Sequence, residues 1–308
     1  MPTAIPIAIA LTANYALPAA VMLKSVLDAS IDRFMVYCLV PEALPPDVVE
    51  GWKSMAGGHM DVRCLVMSDA LKECYIDPRY TEAASFRLLL PELLPEVDKI
   101  LYLDCDILVR QDMGRFYRET DLGDNYLAAV YEAPIPGQAA RIEKLGLSAE
   151  SYFNSGMLLM NLSVMRQEKV AEKLLDACKV DYLEFPDQDA LNQVCEGRVL
   201  PVSPLYNGIR TFFLPQYRHE FERQYPEVSW KELQGAANIH YTGEKPWRGY
   251  TVKFGEWWRV YYALPASMRQ WFACPSKIRT LSVLYKSRII EGLLEGARNL
   301  RRLFINRK

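Results

Sequence analysis

Residues 98–110 read DKILYLDCDILVR, and the fold class turns on how this stretch is read. Ile100, Leu101, Leu103, Ile107, Leu108 and Val109 make a short apolar run of the kind that forms a buried central strand, closed by charged residues on both sides. Asp104 and Asp106 interrupt it. Side chains two apart on an extended segment point to one side, so both carboxylates can converge on one cation while Cys105 faces away. Two ionised acids in an apolar strand repel each other and lose hydration, and a divalent ion offsets both costs. The spacing also fits two solvated aspartates at a strand end, so the flanking sequence has to decide.

Working outward, the flanks alternate strand and helix signals. Ile5–Leu11 reads as a strand, Thr12–Ala16 as a turn, and the segment from Pro18 to about Ser30 as a helix with proline in its first turn. Phe34–Val40 and Asp61–Met67 read as strands around a helix at Asp47–Met55, and Tyr80–Leu94 as a helix carrying Arg87. Beyond the central stretch come a strand at Tyr126–Tyr131, Asn154-Ser155-Gly156 leading into apolar Met157–Asn161, and a helix at Ser163–Val180. Such alternation predicts an α/β fold with a mostly parallel sheet. Ligands of open α/β sheets bind at the C-terminal strand ends, where Thr12–Tyr15 and Asp104–Asp106 would meet.

Composition narrows the function classes. A chain of 308 residues, half of them hydrophobic, buries a large core. Seven widely spaced cysteines without a CxxC pair suit buried thiols in a reducing compartment. Met1–Leu23 is apolar but lacks a basic leader and is broken by Pro6, Asn14, Tyr15 and Pro18, so it reads as fold and not as a signal peptide. No uninterrupted apolar run is long enough to cross a bilayer. The expected location is cytoplasmic. Neither a GxxxxGK phosphate loop nor a GxGxxG dinucleotide fingerprint is present.

A second constellation lies far downstream. Asn238–Trp247 reads NIHYTGEKPW, an apolar strand ending in His240, followed by Gly243 and Lys245. This order can set an imidazole ligand beside backbone that approaches a phosphate, with an ammonium as counter-charge.

Together these pieces resemble glycosyltransferase family 8, with the GT-A (Rossmann-like nucleotide-diphospho-sugar transferase) fold, and in particular its bacterial lipooligosaccharide and lipopolysaccharide α-galactosyl- and α-glucosyltransferases. Asn14-Tyr15, Phe86-Arg87-Leu88, DKILYLDCDILV, DLGDNYLAAV at 121–130, FNSGMLLMNL at 153–162, DQDALN at 187–192 and HYTGEKPW at 240–247 follow one another in family order. The resemblance implies transfer, with retention of configuration, of a hexose from UDP-galactose or UDP-glucose to a lipid-linked saccharide acceptor in lipopolysaccharide or other surface-glycan synthesis. It implies Mn²⁺, or else Mg²⁺, held by Asp104, Asp106 and His240. Thr12, Asn14, Tyr15, Arg87, Cys105, Asn154, Asp187 and Gly243 would face the donor. Gln188, Asp189 and Lys245 would be catalytic, with Gln188 facing the anomeric carbon. An amide is a poor nucleophile, which favours front-face substitution over a covalent glycosyl-enzyme.

Three positions depart from the family pattern: Leu11-Thr12-Ala13 where an acidic residue often precedes Asn-Tyr, Glu132 in place of aspartate as an acceptor-side residue, and a His240–Lys245 spacing one residue short. Two other classes share some of these features. A sugar nucleotidyltransferase also uses paired aspartates, and a non-catalytic sugar- or nucleotide-binding protein could keep the fold. No nucleic-acid partner is expected.

The organisation expected is a catalytic domain over residues 1–262 and a helical basic tail over 263–308. Residues 277–308 carry nine Lys/Arg against two Glu, a net +7, which leaves −9 for 1–276. Ile289, Leu293, Ala297, Leu300 and Phe304 recur at helical spacing among Arg288, Arg298, Arg301, Arg302, Arg307 and Lys308. That pattern suits a peripheral helix on an anionic membrane surface, and equally a helix packed on the acidic body.

Overall fold

The computed structural model describes residues 4–68, 71, 81–135, 137–180, 183–269, 274–294 and 296. Ten strands form among the described residues, β1 Ile5–Ala10, β2 Phe34–Val40, β3 Met60–Val66, β4 Lys99–Leu103, β5 Ile107–Leu108, β6 Leu127–Tyr131, β7 Phe153–Asn161, β8 Val199–Pro201, β9 Gly208–Ile209 and β10 Ile239–His240. Seven make one sheet in the order β3-β2-β1-β4-β7-β6-β8, and β5-β10-β9 make a second. Strands β3, β2, β1 and β4 run parallel, whereas β7 is antiparallel to both neighbours. The alternation of side chains then builds two cores, one on each face. Ile7, Ile9, Val36 and Leu101 pack under the helix Ala16–Ala29 on one side, while Ala8, Leu39, Ile100 and Tyr102 pack on the other with Phe86 and Leu90. Pro6 is tolerated in this central strand because β1 has only β2 beside it there, the recorded register with β4 beginning at Ile7.

The stretch 98–110 is not one strand. The β4 ladder ends at Leu103, the chain turns through Asp104–Asp106, and β5 leaves to pair antiparallel with β10. Ionised carboxylates cannot continue a buried ladder, and the turn places them at its edge. The amide of Asp104 still donates to the Gly156 carbonyl at 2.8 Å. Two expected helices also differ. Glu82–Leu89 is a 3₁₀ helix that passes into a short α-turn at Leu90–Leu93, and Tyr80 lies outside the described residues. Leu162–Gln167 and Val170–Ala177 are separate helices, broken at left-handed Lys169.

Among the described residues after 262, residues 276–285 and Glu291 pack on the body. Helix Ser276–Leu284 leads to fully buried Tyr285, whose ring meets Phe254 at 5.1 Å, and Arg259 pairs with Glu291 at 2.6 Å. Ala297, Leu300, Phe304 and the cations from Arg298 to Lys308 lie outside the described residues. Cys38, Cys64, Cys105, Cys178, Cys195 and Cys274 are free thiols. No helix among the described residues is long and apolar enough to cross a membrane.

Candidate active site

A cavity of about 670 Å³ opens where the two sheets meet, within the roughly 300–1,000 Å³ usual for ligand pockets. Every residue expected to hold metal, donor or acceptor lines it, and of the three expected catalytic residues only Asp189 does not.

At its floor, Asp104, Asp106 and His240 bring one ligand atom each within 4.8 Å of one another. The small sheet makes this encounter: the register of β10 on β5 pairs His240 with Ile107, next to Asp106. The imidazole Nε2 lies 3.3 Å from Asp106 and 3.7 Å from Asp104, and Nδ1 faces Asn207 Oδ1 at 3.1 Å. An Nδ1–H donated to Asn207 leaves Nε2 free as a ligand. Gly156 makes room, because a Cβ there would sit 2.2 Å from His240 Cε1. Two carboxylates and one imidazole, with positions left for phosphate oxygens, fit an octahedral divalent ion such as Mn²⁺ or Mg²⁺.

Lys245 reaches this centre despite its shortened spacing. Its ammonium donates to Asp106 Oδ2 and, at 2.7 Å, to the Tyr241 carbonyl. Burial works against both charges, but each sustains the other. The Asp106 carboxyl is held well below the ordinary range by Lys245 and His240, and Lys245 is raised by Asp106. Gly243 takes φ +78°, a left-handed turn that exposes backbone between His240 and Lys245. Near the other rim Tyr15 is held edge-on by Trp247 at 5.8 Å, Cys105 turns its thiol to the Ala10 carbonyl, and Thr12 hydrogen-bonds Asn14.

Buried Arg87 joins the metal side to the opposite wall. It bonds Asp104 at 2.9 Å and the Ser155 carbonyl at 2.5 Å, lies 3.3 Å from Asp187, and covers the Tyr102 ring at 4.2 Å. Burial raises the carboxyls of both Asp187 and Glu132. Glu132 accepts from Gln138 at 2.6 Å, Gln188 at 3.1 Å and Asn154 at 3.3 Å. The Gln188 amide is spoken for at both ends: Nε2 donates to Glu132 and Tyr152, and Oε1 accepts from the Ser155 and Asn154 nitrogens. Asp189 is 0 % exposed and takes bonds from Arg141 at 3.0 Å, Tyr152 at 2.5 Å and the Phe185 amide at 3.0 Å. It lies behind Gln188, joined to it through the Tyr152 hydroxyl.

Sequence reasoning missed the connecting residues. Asn207 donates to Asn154 at 2.9 Å and so links the His240 ring to the Gln188 amide. Its only sequence signal is an Asn-Gly step before a two-residue strand. Ser155 lay within the quoted FNSG motif without a role assigned, and Tyr152 and Arg141 gave no signal.

A mostly parallel sheet with paired aspartates and a distant histidine at its edge is the arrangement that the resemblance to GT-A glycosyltransferases implies, and the comparisons agree. Residues 6–251 match the model of glycosyl transferase family 8, and the chain belongs to that family. General stress protein A of Bacillus subtilis is 28% identical over 183 residues, 56% of this chain and 61% of that protein. Glycosyltransferase GlyF of Streptococcus pneumoniae is 28% identical over 262 residues, 80% of this chain and 58% of its own length. The chain thus spans about three-fifths of these relatives. A lipopolysaccharide 1,2-glucosyltransferase of Escherichia coli is 27% identical over 76% of this chain and 70% of its own length. Among solved structures, galactosyltransferase LgtC, in complex with donor and acceptor sugar analogues, superposes with a TM-score of 0.70 at 24% identity, covering 87% of this chain and 100% of that one.

Proposed function

We propose that the protein is a metal-dependent retaining hexosyltransferase that moves galactose or glucose from a UDP-sugar to a saccharide acceptor of a bacterial surface glycan. The observation that carries this reading is the union, in one cavity, of the Asp104–Asp106–His240 cluster and Lys245 with the polar wall of Arg87, Asp187 and Gln188. Asp104, Asp106 and His240 would hold Mn²⁺, which supplies charge neutralisation at the donor diphosphate. The Tyr15 ring would carry the uracil, with Thr12 and Asn14 at its polar edge and ribose. Lys245, kept cationic, stabilises negative charge growing on departing UDP. Arg87, Asp187 and Asn154 supply the donors and acceptors that hexose hydroxyls need.

Gln188 is held by bonds at both ends of its amide, which suits a fixed polar wall better than a nucleophile. The acceptor hydroxyl would therefore attack from the face that UDP leaves. Its oxygen bonds to the anomeric carbon as the carbon–phosphate-oxygen bond breaks, and its proton passes to the leaving oxygen. Glu132 would face the acceptor.

The surface beyond Tyr285 suits the cytoplasmic face of an anionic membrane. Ile289 and Leu293 are 79% and 70% exposed, with Lys286 and Arg288 beside them in the sequence. The deciding experiment is donor hydrolysis with UDP-galactose and UDP-glucose, with Mn²⁺, Mg²⁺ or chelator. Metal-dependent release of UDP and an α-linked product by NMR are expected. A β-linked product, or turnover indifferent to chelation, would overturn the reading.

A further inference from the structure

Two of the four Lys/Arg side chains lining the cavity have a carboxylate partner: Arg87 lies against Asp104 and Asp187, and Lys245 against Asp106. Arg210 and Arg248 differ. Arg210 follows β9, whose Ile209 registers against His240, and its amide faces Thr242 Oγ1 at 3.2 Å. Its only side-chain bond among the described residues runs from Nε to Thr251 Oγ1 at 3.2 Å, which anchors the stem and leaves the two terminal nitrogens unused. Arg248 is positioned by its amide on the Lys245 carbonyl at 2.9 Å, and its guanidinium has no hydrogen bond or carboxylate partner among the described residues. Both line the cavity. Arg210 is half-buried, where a guanidinium without counter-charge is unfavourable, while Arg248 is exposed at the cavity mouth; the planar fork of each matches a phosphate or carboxylate.

These two sit on the wall formed by β9 and the loop after β10, with Ile209, Thr211 and Thr242. In the proposed function, on which this inference rests, the groups of the donor are met elsewhere: the base at Tyr15, the diphosphate at Lys245 and the metal ligands, the hexose at Arg87 and Asp187. We infer that Arg210 and Arg248 form an anion subsite that selects an acceptor saccharide carrying a phosphate or carboxylate group.

The test measures binding of galactose, galactose 6-phosphate and galacturonic acid by calorimetry, in the presence of saturating UDP and Mn²⁺, and compares their KM values as acceptors. Wild type is expected to favour one or both charged sugars over galactose by about tenfold or more, the worth of a charge-assisted contact. The two charged probes separate phosphate from carboxylate. Arg210→Gln and Arg248→Gln should each lower the charged-to-neutral ratio, the double variant should bring it near unity, and Arg210→Lys should keep part of it. A thermal melt confirms that the variants fold. Equal affinity of wild type for all three sugars would overturn the inference. So would variants that weaken UDP binding while the ratio stays put, since that would place the guanidiniums on the donor. Failure of wild type to hydrolyse any UDP-sugar would count against the proposed function, whereas the binding ratio needs no turnover and judges the subsite separately.

Discussion

Replacing Gly156 by alanine adds one methyl at the place where the two sheets share the metal site. The new Cβ would lie 2.2 Å from His240 Cε1 and 2.8 Å from both His240 Nδ1 and Asp104 Oδ2. The ring must withdraw by about 1 Å to regain ordinary contact. It has little room, being 3% exposed, tied to Asn207 and carried on a strand clasped between β5 and β9. Overpacking of this kind costs about 1–3 kcal/mol, and a broken Nδ1 hydrogen bond adds about 1 kcal/mol. Alanine returns roughly 0.5–1 kcal/mol by restricting the unfolded chain. The expected net loss is about 1–3 kcal/mol in urea unfolding. A displaced ligand should also weaken Mn²⁺ binding by about 10–100-fold, read by calorimetry. Gly235→Ala is the control, because that helical position has nothing within 4 Å and the change should be neutral or stabilising by up to about 1 kcal/mol. An unchanged unfolding midpoint together with unchanged Mn²⁺ affinity in Gly156→Ala would refute the placement of His240.

Asp106→Asn should lower metal-dependent donor hydrolysis on the order of 100-fold or more while leaving the circular dichroism spectrum intact; turnover at the wild-type rate would remove Asp106 from the metal site. Arg141→Ala leaves the buried Asp189 carboxylate without its cation and should cost about 3–5 kcal/mol, much of it recovered in the Arg141→Ala/Asp189→Asn double variant; additive losses would mean that the two residues do not act as a pair. Glu132 supplies a pH dependence. Burial raises its carboxyl, so between about pH 4.3 and the folded value the native state binds more protons than the unfolded one. Its contribution is fully present below that window and is lost as pH rises through it. Glu132→Gln should therefore gain on wild type from pH 4 to pH 7, by about 1.4 kcal/mol per unit of elevation, and a pH-independent difference in unfolding free energy would contradict this. Wild type should sediment with anionic liposomes at low salt and lose this in Ile289→Asp/Leu293→Asp, with Arg259–Glu291 packing untouched; equal sedimentation of the two would rule out that surface.

The first three strands were legible because Ile5–Ala10, Phe34–Val40 and Met60–Val66 are apolar, β-rich and bounded by turn residues, so local pattern and tertiary role coincide. The break at Asp104–Asp106 was not, since an extended run looks the same whether its second half pairs in the same sheet or in another. The residues expected to meet metal and donor could be named from the family motifs that carry them, and they line one cavity. Their supports could not: Asn207, Tyr152 and Ser155 are selected by position, and position comes from strands remote in the chain. Asp189 shows the limit of carrying a motif over whole. It lies two residues after Asp187 on the helix Pro186–Val194, which turns it roughly 200° away, toward Arg141.

The clasp of β10 between β5 and β9 also bears on how the molecule is made. Asp106 and Lys245 are 139 residues apart, so during vectorial synthesis the aspartates leave the ribosome well before their cation and their imidazole. At elongation rates of about 5–20 residues per second that delay is roughly 7–28 s. Strands β1–β4 can begin to associate in this interval, while the two carboxylates stay hydrated and uncompensated. The cluster can form only when residues 239–245 dock between β5 and β9.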